Sequence, residues 1–174
     1  PLAPMLLRRR AAQGKEDPAR VEERLGFPTL GRPCGPLVWV HGASVGETLS
    51  LLPLVERFVK ARLDLTVLVT SGTVTSARIL EDRLPKGVIH QYAPVDGPGA
   101  VGRFLDHWRP ALAVFVESEL WPNLILAARQ RGVKLILASA RITEKTVDGW
   151  RRFPGAAPSS APKGAGPSGC PWSR

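Results

Sequence analysis

The stretch Pro36-Leu37-Val38-Trp39-Val40-His41-Gly42-Ala43-Ser44-Val45-Gly46-Glu47 decides how the rest of the chain is read. Residues 37–40 are apolar without alternation, the mark of a strand buried on both faces. Small residues interrupt the run at Gly42, and a helical pattern occupies 46–62. The same unit recurs outward from there. Further apolar runs stand at 65–69, 88–92, 112–116 and 135–138, with helix-like segments at 73–84, 100–108 and 121–131. In the segment 73–84, Val74, Ala77, Ile79 and Leu80 crowd one face, while Arg78, Glu81, Asp82 and Arg83 point mostly outward. Strands alternating with helices of this length predict βαβ units with right-handed crossovers. The expected fold is α/β: a Rossmann-like parallel sheet with helices on both faces.

With 174 residues, the chain has room for one ordinary domain and a tail. Hydrophobic residues make up 44% and charged residues 22%, enough to build a core. No apolar run reaches the roughly 18 residues of a membrane span. Two cysteines, Cys34 and Cys170, are too few for a disulfide framework, and no Cys/His spacing suggests a zinc site. Lys and Arg number 24 against 15 Asp and Glu, for a net charge of +9. Such a balance points to an anionic partner: nucleic acid, an acidic membrane surface, or a phosphorylated or carboxylated substrate. Aromatics at 6% are sparse and none is interleaved with a basic run, so nucleic acid is the weakest of the three.

Three regions follow. Residues 1–32 open with Leu2, Met5, Leu6 and Leu7, then Arg8-Arg9-Arg10. This reads either as a membrane-proximal segment left from a truncated anchor or as an amphipathic helix on a soluble domain. On an anionic leaflet, each arginine would contribute roughly 1 kcal/mol. A polar helix is expected over 17–24, stopped by Gly26 and Pro28. The chain opens at Pro1, so the true start is expected upstream. Residues 33–153 carry the α/β pattern. Residues 154–174 are almost entirely Pro, Gly, Ala and Ser, and are expected to be a disordered or frameshifted tail.

In an open parallel sheet, ligands bind outside the carboxyl ends of the strands. After the first strand, Ser44, Gly46 and Glu47 sit where small residues admit a ligand to backbone N–H groups at a helix N-terminus. Glu47 there suits a general base, or a plain helix cap. This is not the GxGxxG fingerprint, and no acidic residue fills the ribose-binding place after the second strand, so a dinucleotide is not expected. Thr70-Ser71-Gly72-Thr73 offers hydroxyls to a phosphate or sugar, or an N-cap with a turn glycine. Glu117 and Glu119 flank Ser118 after the fourth strand, on one side of an extended stretch. Arg141 follows the fifth strand and is available to an anionic group. The loop 92–98 reads as structural, with Asp96 capping the helix that follows it.

Four blocks resemble the N-terminal domain of bacterial 3-deoxy-D-manno-octulosonic acid (Kdo) transferases. They are Trp39-Val40-His41-Gly42-Ala43-Ser44-Val45-Gly46-Glu47, the stretch 70–77, Tyr92-Ala93-Pro94-Val95-Asp96, and Glu117-Ser118-Glu119-Leu120-Trp121-Pro122-Asn123-Leu124. The resemblance runs in order as far as Trp150. It implies the N-terminal half of a GT-B glycosyltransferase that moves Kdo from CMP-Kdo onto a lipid A precursor. It implies that Glu47 is the catalytic base and that Glu117 belongs to the site; Ser44, Gly46, Ser71 and Arg141, by their places after the strands, are the acceptor-binding candidates. No metal or cofactor is implied. CMP-Kdo is a donor substrate expected in a C-terminal domain absent here, so this chain alone is not expected to transfer Kdo. The implied partners are the lipid A precursor and an anionic membrane surface, without nucleic acid, at the cytoplasmic face of the bacterial inner membrane. The alternative is a non-catalytic membrane-surface module that binds phosphorylated glycolipid. Gly42 stands where the family usually has Ala or Ser, and Ser139 where it usually has Asn.

Overall fold

A computed structural model describes residues 2–116 and 121–138. Helices α1 (Leu2–Ala12) and α2 (Val21–Arg24) precede the sheet. Then β1 (Leu37–Gly42), α3 (Val45–Ala61), β2 (Thr66–Ser71), α4 (Val74–Arg83) and β3 (Ile89–Tyr92) alternate. They are followed by α5 (Pro98–Trp108), β4 (Leu112–Val116), α6 (Pro122–Gln130) and β5 (Lys134–Ala138). The strands lie in the order β3-β2-β1-β4-β5, and every neighbouring pair is parallel. The expected Rossmann-like α/β sheet is therefore present.

Alternation along the central strands sorts the core into two layers. Leu37 and Trp39 pack with Phe104, Leu105, Trp108, Phe115 and Leu124, on the side of α5 and α6. Val38 and Val40 pack with Leu51, Val55, Val69 and Leu80, on the side of α3 and α4. The crossovers thus change face between β3 and β4. Because β1 lies between β2 and β4, the chain leaves β1 toward one layer and β4 toward the other. The divergence puts the switch point, where sheets of this kind bind ligands in a crevice, at the C-terminal ends of β1 and β4.

The N-terminal segment differs from its expected form. Helix α2 covers only Val21–Arg24, because the Asp17 carboxylate accepts the Ala19 N–H at 2.9 Å and holds that stretch in a turn. It is also less polar in setting than its sequence implies, since Glu23 and Arg24 are buried. Glu23, 0% exposed, accepts from Tyr92 N at 2.7 Å, from Thr29 Oγ1 at 2.7 Å and from Arg20 Nε at 2.9 Å. Arg24 Nη1 donates to the Ala93 carbonyl. Its Nε lies 3.3 Å from Glu16 Oε2, an ion pair without hydrogen-bond geometry. Gly26 ends the helix at φ 85°, where a side chain would run into the Ala100 carbonyl. In α1, Leu7 is buried, while Met5 (68%) and Leu6 (48%) face outward beside exposed Arg8, Arg9 and Arg10. No helix among the described residues is long and apolar enough to cross a membrane.

Candidate active site at the switch point

The first turn of α3 forms one wall of the crevice. Ser44 is its N-cap, and its hydroxyl accepts the Glu47 N–H at 3.3 Å. Glu47 returns its carboxylate over the turn, with Oε2 accepting the Ala43 N–H at 2.7 Å. This is a capping-box exchange displaced by one residue. The local sequence explains it: Ser44-Val45-Gly46-Glu47 places a hydroxyl and a carboxylate three residues apart at a helix start. Thr48, buried, donates its hydroxyl to Ser44 O at 2.6 Å and pins the loop to the helix. One carboxylate oxygen is thus anchored, and Oε1 has no hydrogen-bond partner among the described residues.

Two glycines serve different ends. A Cβ at Gly42 would lie 2.9 Å from Leu51 Cδ1 and 3.0 Å from Thr48 N, so the close seat of α3 on β1 depends on glycine. At Gly46, a Cβ would meet nothing within 4 Å and φ is not positive. The glycine leaves an exposed gap in the first turn, where a ligand can approach the backbone.

Beneath the loop, the β1 and β2 ends carry a buried polar set. The Trp39 indole N–H donates to Thr70 Oγ1 at 2.8 Å, and Thr70 Oγ1 lies 2.8 Å from His41 Nδ1. Thr70 Oγ1 thus accepts from the indole and is shared with the His41 ring. Burial pushes the His41 pKa down to about 4, so the imidazole is neutral. The ring also stands edge-on to Phe115 and Trp121, with centroids at 5.7 and 5.9 Å. Ser71, opposite Gly42 in the register, is fully buried, and its hydroxyl lies 2.9 Å from His90 Nε2. His90 is likewise held down, to about 4, by burial and then by the neighbouring Arg20 guanidinium.

Ser44, Gly46 and Glu47 are therefore brought together on one turn. Ser71 lies on the neighbouring strand with its hydroxyl directed to a protein partner. Glu117 and Arg141 lie outside the described residues. One expectation is corrected: Asp96 does not cap the helix that follows it, since α5 has Gly97 as its N-cap and no side-chain cap. Its carboxylate instead accepts the N–H groups of Leu124 (2.8 Å) and Asn123 (3.2 Å) at the start of α6. Pro98 at the head of α5 removes one donor, and the unprotected start of α6 offers a better pair. His41 was also not singled out by pattern, although its place two residues after Trp39 on the same face was visible.

A five-stranded parallel sheet in this order, with a polar crevice at its switch point, defines a Rossmann-like half of the kind that forms the N-terminal part of a GT-B fold. Residues 19–163 match the family described as 3-Deoxy-D-manno-octulosonic-acid transferase (kdotransferase). A protein of Arabidopsis thaliana named probable 3-deoxy-D-manno-octulosonic acid transferase, mitochondrial, is 41% identical over 150 residues, 86% of this chain and 34% of its own length. The Rickettsia bellii 3-deoxy-D-manno-octulosonic acid transferase is 40% identical over 142 residues, 82% of this chain and 34% of its own. That of Haemophilus influenzae is 33% identical over 130 residues, 73% of this chain and 30% of its own. The chain belongs to the Kdo transferase family and spans about a third of the length of these relatives.

Proposed function

We propose that this chain supplies the acceptor-binding half and the catalytic base of a glycosyltransferase that moves Kdo from CMP-Kdo to a lipid A precursor. The observation that carries the reading is the Glu47 carboxylate on the first turn of α3 at the switch point, anchored through Oε2 to the Ala43 N–H. In the proposed step, Oε1 takes the proton of an acceptor hydroxyl as that oxygen attacks the anomeric carbon of Kdo. The bond to CMP breaks, and CMP leaves with the electron pair. Ser44 and Gly46 border the acceptor, Glu117 remains a candidate by resemblance, and Ser71 and Arg141 remain candidates by their places after the strands. The reading invokes neither a metal nor a cofactor. The exposed Met5 and Leu6 beside Arg8–Arg10 support peripheral contact with an anionic leaflet, in keeping with work at the cytoplasmic face of an inner membrane.

The test separates the base from the cap. Glutamine at 47 keeps an oxygen for Ala43 N–H but cannot take a proton. In a transferase completed with the remainder of the Rickettsia bellii relative, Glu47→Gln should abolish Kdo transfer while leaving the melting temperature unchanged. Transfer retained by Glu47→Gln would remove Glu47 from the mechanism. A non-catalytic module predicts instead that acceptor-liposome binding falls with salt and is indifferent to residue 47.

A further inference from the structure

The start of α6 is capped from a distance. Pro122 has no N–H, and Ile125 N–H reaches Trp121 O at 3.0 Å, which leaves Asn123 and Leu124 as the donors of the first turn. Both are taken by Asp96, and Asn123 Nδ2 returns a bond to Asp96 O at 2.9 Å. Trp121, the N-cap residue, contributes no side-chain cap. Among the described residues, the helix start therefore depends on the loop after β3.

That loop is itself tied at several points. Ala93 N–H donates to Ser71 O at 2.9 Å, Val95 N–H donates to Arg24 O at 2.8 Å, and Arg24 Nη1 donates to Ala93 O. A continuous set of bonds thus joins α2 to the loop, the loop to α6, and the head of α6 to the Trp121–His41 contact. From this geometry we infer that Asp96 is a positioning residue that sets the α6 wall of the crevice, with Arg24 holding its loop in place. The acceptor part of the inference rests on the proposed function; the positioning part does not.

Asp96→Ala and Asp96→Asn in the 174-residue chain provide the test. In Asp96→Ala, hydrogen exchange at Asn123 and Leu124 should accelerate about ten-fold, as expected for a lost cap. The ring resonances of Trp121 and His41 should shift, while the Ala43 amide held by Glu47 stays unchanged. Affinity for an acylated, phosphorylated glucosamine disaccharide in micelles should fall about ten-fold, a 1.4 kcal/mol change, with partial recovery in Asp96→Asn. Faster exchange with unmoved Trp121 and His41 resonances would reduce Asp96 to a helix cap and overturn the inference. If the unsubstituted chain does not bind the disaccharide, the acceptor reading falls, and the ring resonances still decide the positioning. Should Asp96→Ala not fold, Asp96→Asn carries the same comparison, since it keeps one acceptor oxygen.

Discussion

His41 and His90 sit side by side with the crevice machinery, both neutral, both with pKa values near 4 against an ordinary 6.5. Between those two values the unfolded chain binds protons that the folded chain refuses. Stability attributable to them is therefore complete above pH 6.5 and is lost as pH falls toward 4. Denaturant unfolding at pH 7, 5.5 and 4 should show a loss on the order of 3 kcal/mol for His41 alone. His90→Gln, which retains a donor toward Ser71, should make the profile shallower. A flat profile would mean that the imidazoles are charged or reached by water. None of this was readable from the sequence, which shows a histidine beside Gly42 but not the Thr70 hydroxyl that orients it from 29 residues away.

Helix α3 shows how much an element inherits from neighbours that its periodicity does not reveal. The pattern located it at 46–62, and the helix runs Val45–Ala61. Strand β4 falls at the residues the apolar run marked, because five consecutive apolar residues between Pro110-Ala111 and Glu117 leave little freedom in placing it. The seat of α3 on β1 is another matter. Gly42, where the family usually carries Ala or Ser, accommodates no Cβ as the helix now lies. Gly42→Ala should thus cost about 1–3 kcal/mol by overpacking, or displace the α3 start. Gly46→Ala should do the opposite, stabilising the fold by about 0.4–1 kcal/mol. If a ligand needs the gap at Gly46, the same methyl group weakens acceptor binding. Thermal melts and acceptor titrations of the two variants separate seat from gap, and unaltered binding in Gly46→Ala would show that the gap is not used. Asp96 was misplaced for a related reason: a cap is ordinarily sought within one turn of its helix, and this one comes from 27 residues earlier.

For the whole molecule, the N-terminal segment is part of the sheet's construction. Sequence pattern read a polar helix over 17–24, since period and composition do not register that Glu23 accepts from Tyr92 N across 69 residues. Removing residues 2–32 would leave the Tyr92 N–H and the Ala93 carbonyl without these partners at the C-terminal end of β3. A shortened chain starting at 33 should lose several kcal/mol, on the order of 1–3 for each buried polar group left unmet. Urea unfolding measures it, and equal midpoints would show the segment to be an appendage.

The separation between Glu23 and Tyr92 also has a consequence in time. At about 5–20 residues per second of synthesis, the arm waits several seconds as a charged, hydrated stub before β3 exists to receive it. Strands β1 and β2 are made in that interval with their outer edge uncovered. The arm thus leaves the ribosome well before the strand that receives it, and a nascent chain stalled before Tyr92 should present this arm to any protease or chaperone nearby.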